Sequence, residues 1–210
     1  MEINHTVFFN EYRKTFGRLT QGQVTGIELL GRHMELDADI KNLRWAAYML
    51  ATVKHECADT WQPIIERGRK SYFDKYDAGT AIGKRLGNTA RGDGWRYRGR
   101  GYVQITGRAN YARMTRELGL GADENLVEDP DQALRPAIAY RILSIGMRKG
   151  LFTGKKLSDY LAGQTCDYKN TRRIINGLDQ CERIKGYAET LESILRSAII
   201  RRDQQAAQRP

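Results

Sequence analysis

The sequence predicts a mainly α-helical fold. Apolar residues recur at helical spacing in several separate stretches, while strand character is confined to Tyr102, Val103 and Ile105 in one glycine-rich run. The clearest stretch is Leu43 to Cys57, where Leu43, Ala46, Ala47, Leu50, Val53 and Cys57 share a face and Trp45, Tyr48 and Met49 make the opposite side apolar too. A helix that is apolar all round belongs in a core, so this one is expected to be central and buried.

The remaining elements follow in chain order. Phe8, Phe9, Tyr12 and Phe16 are spaced as a helix over 6–16, with Gly17 as its stop. Thr20 is placed to cap a helix that carries Val24, Ile27, Leu29 and Leu30 and runs to Met34. Residues 71–94 are rich in Asp, Lys, Gly and Asn with few periodic apolar positions, and read as a long irregular loop or small lobe. A short helix is expected over 110–118, and Pro130 is placed to open another carrying Ala133, Ala137, Tyr140, Ile142 and Ile145. Residues 146–154 read as a loop and 157–161 as the start of a short helix. Asn176-Gly177 reads as a turn that leaves the Asn side chain free to face a cleft. The last helix, roughly 181–200, carries Ile184, Tyr187, Leu191, Ile194 and Leu195, and residues 201–210 form a polar, basic end.

With 210 residues, 40% of them hydrophobic, the chain can bury a core, and we read a single domain over 1–210. The net charge of +10 implies attraction to polyanions: nucleic acid, an anionic membrane surface or an acidic cell wall. Cys57, Cys166 and Cys181 are odd in number and widely spaced, which argues against a disulfide framework or zinc knuckle and for buried or free thiols. His5 and His33 are isolated and read as structural. Asn10, Glu11, Arg13 and Lys14 interrupt the N-terminal stretch, which lacks the apolar run of a secretory signal. The chain is therefore expected to be made in a cytoplasm.

Two carboxylates stand out. Glu56 falls in the last turn of the central helix, where the negative end of the helix dipole disfavours its charge, the setting a general acid needs. Glu66 lies ten residues on. A straight helix would set it about 15 Å away, so the chain must turn back, and Pro63 provides the interruption. Arg67, Arg69 and Lys70 follow Glu66 and favour an ionised carboxylate, the state of a general base. The plain alternative is that Glu66 pairs with a surface arginine and neither residue is catalytic. Downstream, GDGWRYRGRGYVQITGRANY combines glycines at 99 and 101, which permit close approach of a ligand, with the neutral groups of Gln104, Thr106 and Asn110 beside tyrosines. That composition suits a sugar. A glycine-rich turn with solvated arginines, or an RNA-binding segment, would share it.

Taken in their shared order, the His55-Glu56 pair, Glu66-Arg67-Gly68, the run Tyr97 to Tyr111, RRIINGL from Arg172 to Leu178, and Glu182-Arg183-Ile184 resemble a glycoside hydrolase family 19 domain. Such domains occur in plant chitinases and bacteriophage endolysins. The resemblance covers most of 43–190. It implies a lysozyme-like, two-lobed helical fold with a glycan-binding cleft and no cofactor or metal. It implies Glu56 as general acid and Glu66 as general base of an inverting mechanism, with carboxyl groups on the order of 6.5–9.5 Å apart. Thr106 matches a residue that holds the attacking water. His55, Tyr97, Gln104, Asn110 and Asn176 match substrate-binding positions, and Arg183 a charged residue near the base. The interval between the glutamates is shorter than in plant chitinases, and the disulfides and signal peptide of secreted chitinases are missing. Those departures favour an endolysin: a monomer acting on bacterial peptidoglycan after holin-dependent release, its basic surface drawn to anionic wall or outer-membrane polymers, with no nucleic-acid partner. A chitinase and a non-catalytic glycan- or nucleic-acid-binding module are the competing expectations.

Overall fold

Short polar side chains fix where the helices start. In the computed structural model, which describes residues 1–200, Asn4 caps helix α1 (His5–Phe16) by accepting from the Val7 amide. Thr20 and Gln23 form a reciprocal capping box on α2 (Gln21–Leu36). Asn42 caps α3 (Leu43–Glu56) by accepting from the Arg44 amide. Each supplies an acceptor that the first turn lacks internally. The basic end at 201–210 lies outside the described residues.

The chain divides into two compact units, one of Met1–Trp61 with the chain from Met147 onward, the other of Gln62–Gly146. In the first, α3 is the central element, with Ala46 through Lys54 all buried. It packs most extensively against the C-terminal helix Cys181–Ala198, which also receives α1 and the short helix Tyr168–Thr171. The core between them is built from Tyr12, Leu30, Met34, Tyr48, Met49, Val53, Ile184, Leu191 and Leu195. Cys57 and Cys181 are buried and Cys166 is exposed, none of them in a disulfide.

The second unit is made of short pieces. Strands β1 (Ile64–Ile65) and β2 (Arg100–Gly101) pair antiparallel, Ile64 opposite Gly101 and Ile65 opposite Arg100. The expected strand character at 102–105 is thus displaced to Arg100 and Gly101, with Ile105 bridging back to Arg100 through a tight turn in which Gln104 has φ +52°. Residues 71–94 are not an irregular loop. They hold a 3-10 helix (Lys70–Tyr76) followed by α4 (Ala81–Arg85), with α5 (Asp93–Arg96) closing the stretch. These turns are too short to show a helical period, which is why they escape sequence reading. Helix α6 (Arg108–Glu117) follows. The helix expected to open at Pro130 is two elements: Pro130–Leu134 is 3-10, Arg135 is extended at ψ 125°, and α7 (Pro136–Lys149) begins afresh. Pro136 forces that break, since a residue before proline avoids helical geometry. Helix α7 also claims the start of the expected 146–154 loop. Among the described residues no helix is long and apolar enough to cross a membrane.

Candidate active site

In the first unit the site is built on the end of α3. Glu56 is its last residue, and Arg172, in the 3-10 turn Arg172–Ile174, donates from Nη1 to Glu56 Oε1 at 2.5 Å. Arg172 is 3% exposed, and its Nε donates to the Asp179 carbonyl at 3.0 Å, so the guanidinium is held from two sides. The carboxylate thus sits between opposed influences: the negative end of the helix and a buried positive charge. Burial lowers the pKa of His55 below its ordinary value; Glu56 opposes this, and Arg172 and Arg183 add to it. Its imidazole is therefore neutral near pH 7.

The chain after Glu56 reverses sharply. Ala58, Asp59 and Trp61 all have positive φ, at 48°, 61° and 60°. A clasp holds this reversal. The buried Lys54 ammonium lies 2.7 Å from Asp59 Oδ1 and 2.9 Å from the Tyr12 hydroxyl, and it faces the rings of Phe16 at 4.4 Å and Tyr187 at 5.3 Å. The Trp61 indole donates to the same Asp59 oxygen at 2.9 Å. Burial raises the pKa of Tyr12, keeping its hydroxyl intact at the lysine.

In the second unit Glu66 leaves β1 and is fixed by Gly99. Its amide donates to the Gly99 carbonyl at 2.8 Å, and the Gly99 amide donates back to Glu66 Oε2 at 3.1 Å. Position 99 is tight: an added Cβ would lie 2.9 Å from Gln104 Oε1 and 3.2 Å from Glu66 Oε2, so those side chains would have to shift. Gln104 Nε2 donates to the carbonyls of Ile64 and Gly101, tying the turn to both strands. The Thr106 hydroxyl donates to the Gln104 carbonyl at 3.0 Å, and Asn110 Nδ2 to the Thr106 carbonyl at 2.7 Å. Gln104, Thr106 and Asn110 are therefore linked by hydrogen bonds, and the half-buried Glu66 is held beside them by Gly99. The electrostatic neighbours of Glu66 include Arg98, whose guanidinium lies 3.7 Å from the Trp95 ring centroid, and Tyr76. Arg67, Arg69 and Lys70, the cations that sequence reading assigned to it, are exposed.

Tyr97 departs from expectation. It is fully buried, its hydroxyl donating to the Val127 carbonyl and accepting from Arg108, so it packs in the core and offers no ring to a sugar. Asn176 is exposed in the bend after the Arg172 turn, and Arg183 is exposed on the C-terminal helix within electrostatic reach of His55. Arg172 and Lys54 escaped the sequence reading of the site. Arg172 lay within the quoted RRIINGL motif, while nothing in the spacing singled out Lys54.

No family model matches the chain. A glycosyl hydrolase family 19 domain-containing protein of Haemophilus influenzae is 28% identical, over 60% of this chain and 75% of that one. Chitinase C from Streptomyces griseus has the same fold, with a TM-score of 0.59 at 19% identity over 94% of this chain and 95% of that one. The chain is thus similar in sequence to a family 19 domain-containing protein and in fold to a chitinase. A mutant of chitinase C superposes similarly, with a TM-score of 0.56 at 18% identity over 92% of each chain. Within that shared fold the buried α3 ends at Glu56, and β1 delivers Glu66 to the Gly99 amide. Among the described residues no group of three or more His, Cys, Asp or Glu is placed to hold a metal ion.

Proposed function

We propose that this domain hydrolyses the β-1,4 bond between N-acetylmuramic acid and N-acetylglucosamine of peptidoglycan, with inversion, and that it serves as an endolysin released through a holin. The observation that carries the reading is a pair of glutamates, each held by its own scaffold: Glu56 by the buried Arg172 guanidinium, Glu66 by the Gly99 amide. Glu56 is the general acid. When it gives its proton to the leaving oxygen, Arg172 is already in place to stabilise the carboxylate that forms. Glu66 is the general base, and the hydroxyl of Thr106, whose proton is engaged with Gln104, accepts a hydrogen bond from the attacking water. Inversion requires the two carboxyl groups to stand about 6.5–9.5 Å apart across the sugar.

The net charge of +10 supports an acidic wall polymer as substrate. The likeness in fold to chitinase C favours a second reading, hydrolysis of neutral chitin. Mass spectrometry of products from purified peptidoglycan and from chitin oligomers separates them. Fragments reducing at N-acetylmuramic acid support the first reading; turnover of chitin alone overturns it in favour of the second.

A further inference from the structure

The positive charge of this protein is concentrated in one part of the second unit. Residues 67–96 hold eight Lys and Arg against three Asp, a surplus of five and so half of the chain's +10. All eight cations are exposed. Two of the three acids are turned inward: Asp77 accepts from the amides of Gly92 at 2.9 Å and Gly94 at 2.8 Å, and Asp93, 5% exposed, accepts from those of Thr89 at 2.8 Å and Ala90 at 3.0 Å. Backbone amides thus consume the negative charge, while the positive charge faces water.

The cations also share one small structure. A Cβ at Gly83 would fall 1.9 Å from the Asp77 carbonyl oxygen, and one at Gly94 would fall 2.1 Å from that of Phe73. Helices α4 and α5 therefore rest directly on the Lys70–Tyr76 turn, gathering Lys70, Lys75, Lys84, Arg85 and Arg91. Tyr72, 48% exposed, lies under the Lys75 ammonium at 3.5 Å from its ring centroid. The group joins the glutamate strand through Gly68, where a Cβ would meet Phe73 at 3.1 Å.

We propose that residues 67–96 form a docking surface for the free carboxylates of peptide-substituted peptidoglycan. Chitin carries no such groups, so this surface distinguishes an acidic glycan from a neutral one. The inference rests on the hydrolase reading above and names what selects its substrate. A cluster of exposed cations, with two of its three acids internally satisfied, attracts a polyanion at a range set by salt.

The test is sedimentation of the whole protein with insoluble peptidoglycan, with the same material after amidation of its carboxyl groups, and with chitin, at low and high salt. Wild type is compared with Lys84→Gln/Arg85→Gln/Arg91→Gln and, as a second variant, Lys70→Gln/Lys75→Gln, all at matched thermal unfolding. We expect amidation and either variant to weaken peptidoglycan binding roughly tenfold at low salt and to leave chitin binding unchanged. Equal binding to native and amidated peptidoglycan, or variants that bind native material as wild type does, overturns the docking surface. Charge-dependent binding without any glycan cleavage supports the surface and sinks the hydrolase reading alone; cleavage with charge-independent binding does the reverse.

Discussion

Arg172 Nη1 meets Glu56 Oε1 at 2.5 Å across 116 positions of sequence. The guanidinium is 3% exposed and the glutamate side chain 17% exposed, so water shares little of this charge. Replacing Arg172 by Gln leaves a largely buried carboxylate without its counter-charge. We expect a loss of about 3 kcal/mol in urea unfolding and a roughly hundredfold fall in turnover. Unchanged turnover in a folded Arg172→Gln variant would remove Arg172 from the mechanism.

The Lys54 clasp predicts a stability effect distinct from catalysis. Asp59 is half exposed, but its partner Lys54 is 6% exposed among aromatic rings. Removing the carboxylate in Asp59→Ala strands a buried ammonium, at a cost of about 3 kcal/mol. Chemical denaturation measures it, and a cost below about 1 kcal/mol, the range of exposed pairs, would show that the clasp holds nothing.

Gly99 predicts the opposite kind of defect, one of crowding. The methyl of Gly99→Ala would press on Gln104 Oε1 at 2.9 Å and on Glu66 Oε2 at 3.2 Å. We expect about 1–3 kcal/mol of destabilisation together with a fall in kcat larger than any change in KM, read from steady-state kinetics.

Burial lowers the pKa of both His55 and His33. Below about pH 6.5 the unfolded chain therefore binds more protons at these sites than the folded one. The stability they contribute is present above that pH and is lost as pH falls through it toward the depressed folded values. Urea midpoints for wild type should drop between about pH 7.5 and pH 5, and drop less for His33→Gln/His55→Gln. Parallel curves would contradict the assignment.

What was legible in the sequence was what depends on local order. Apolar spacing locates α3 and hence places Glu56 at a helix end, and Thr20 caps α2 as its position indicates. What depends on distant partners was not legible. Arg172 reaches Glu56 from the other end of the chain, and Lys54, on the polar end of an apolar helix, gives no sign that Tyr12 and Tyr187 enclose it. Tyr97 misled for the same reason: a tyrosine beside arginines reads as surface until Val127 and Arg108 are seen to satisfy its hydroxyl. The 71–94 stretch reads as an irregular loop or small lobe because its helical turns are each shorter than a hydrophobic period can register.

The central claim is that Glu56 delivers the proton, and Glu56→Gln tests it most directly, because the amide keeps the shape of the side chain and removes the acid. Glycan release from purified peptidoglycan is followed for wild type and variant at matched thermal unfolding. The account predicts a roughly thousandfold fall in rate with peptidoglycan binding retained. A variant that releases glycan at the wild-type rate would contradict it.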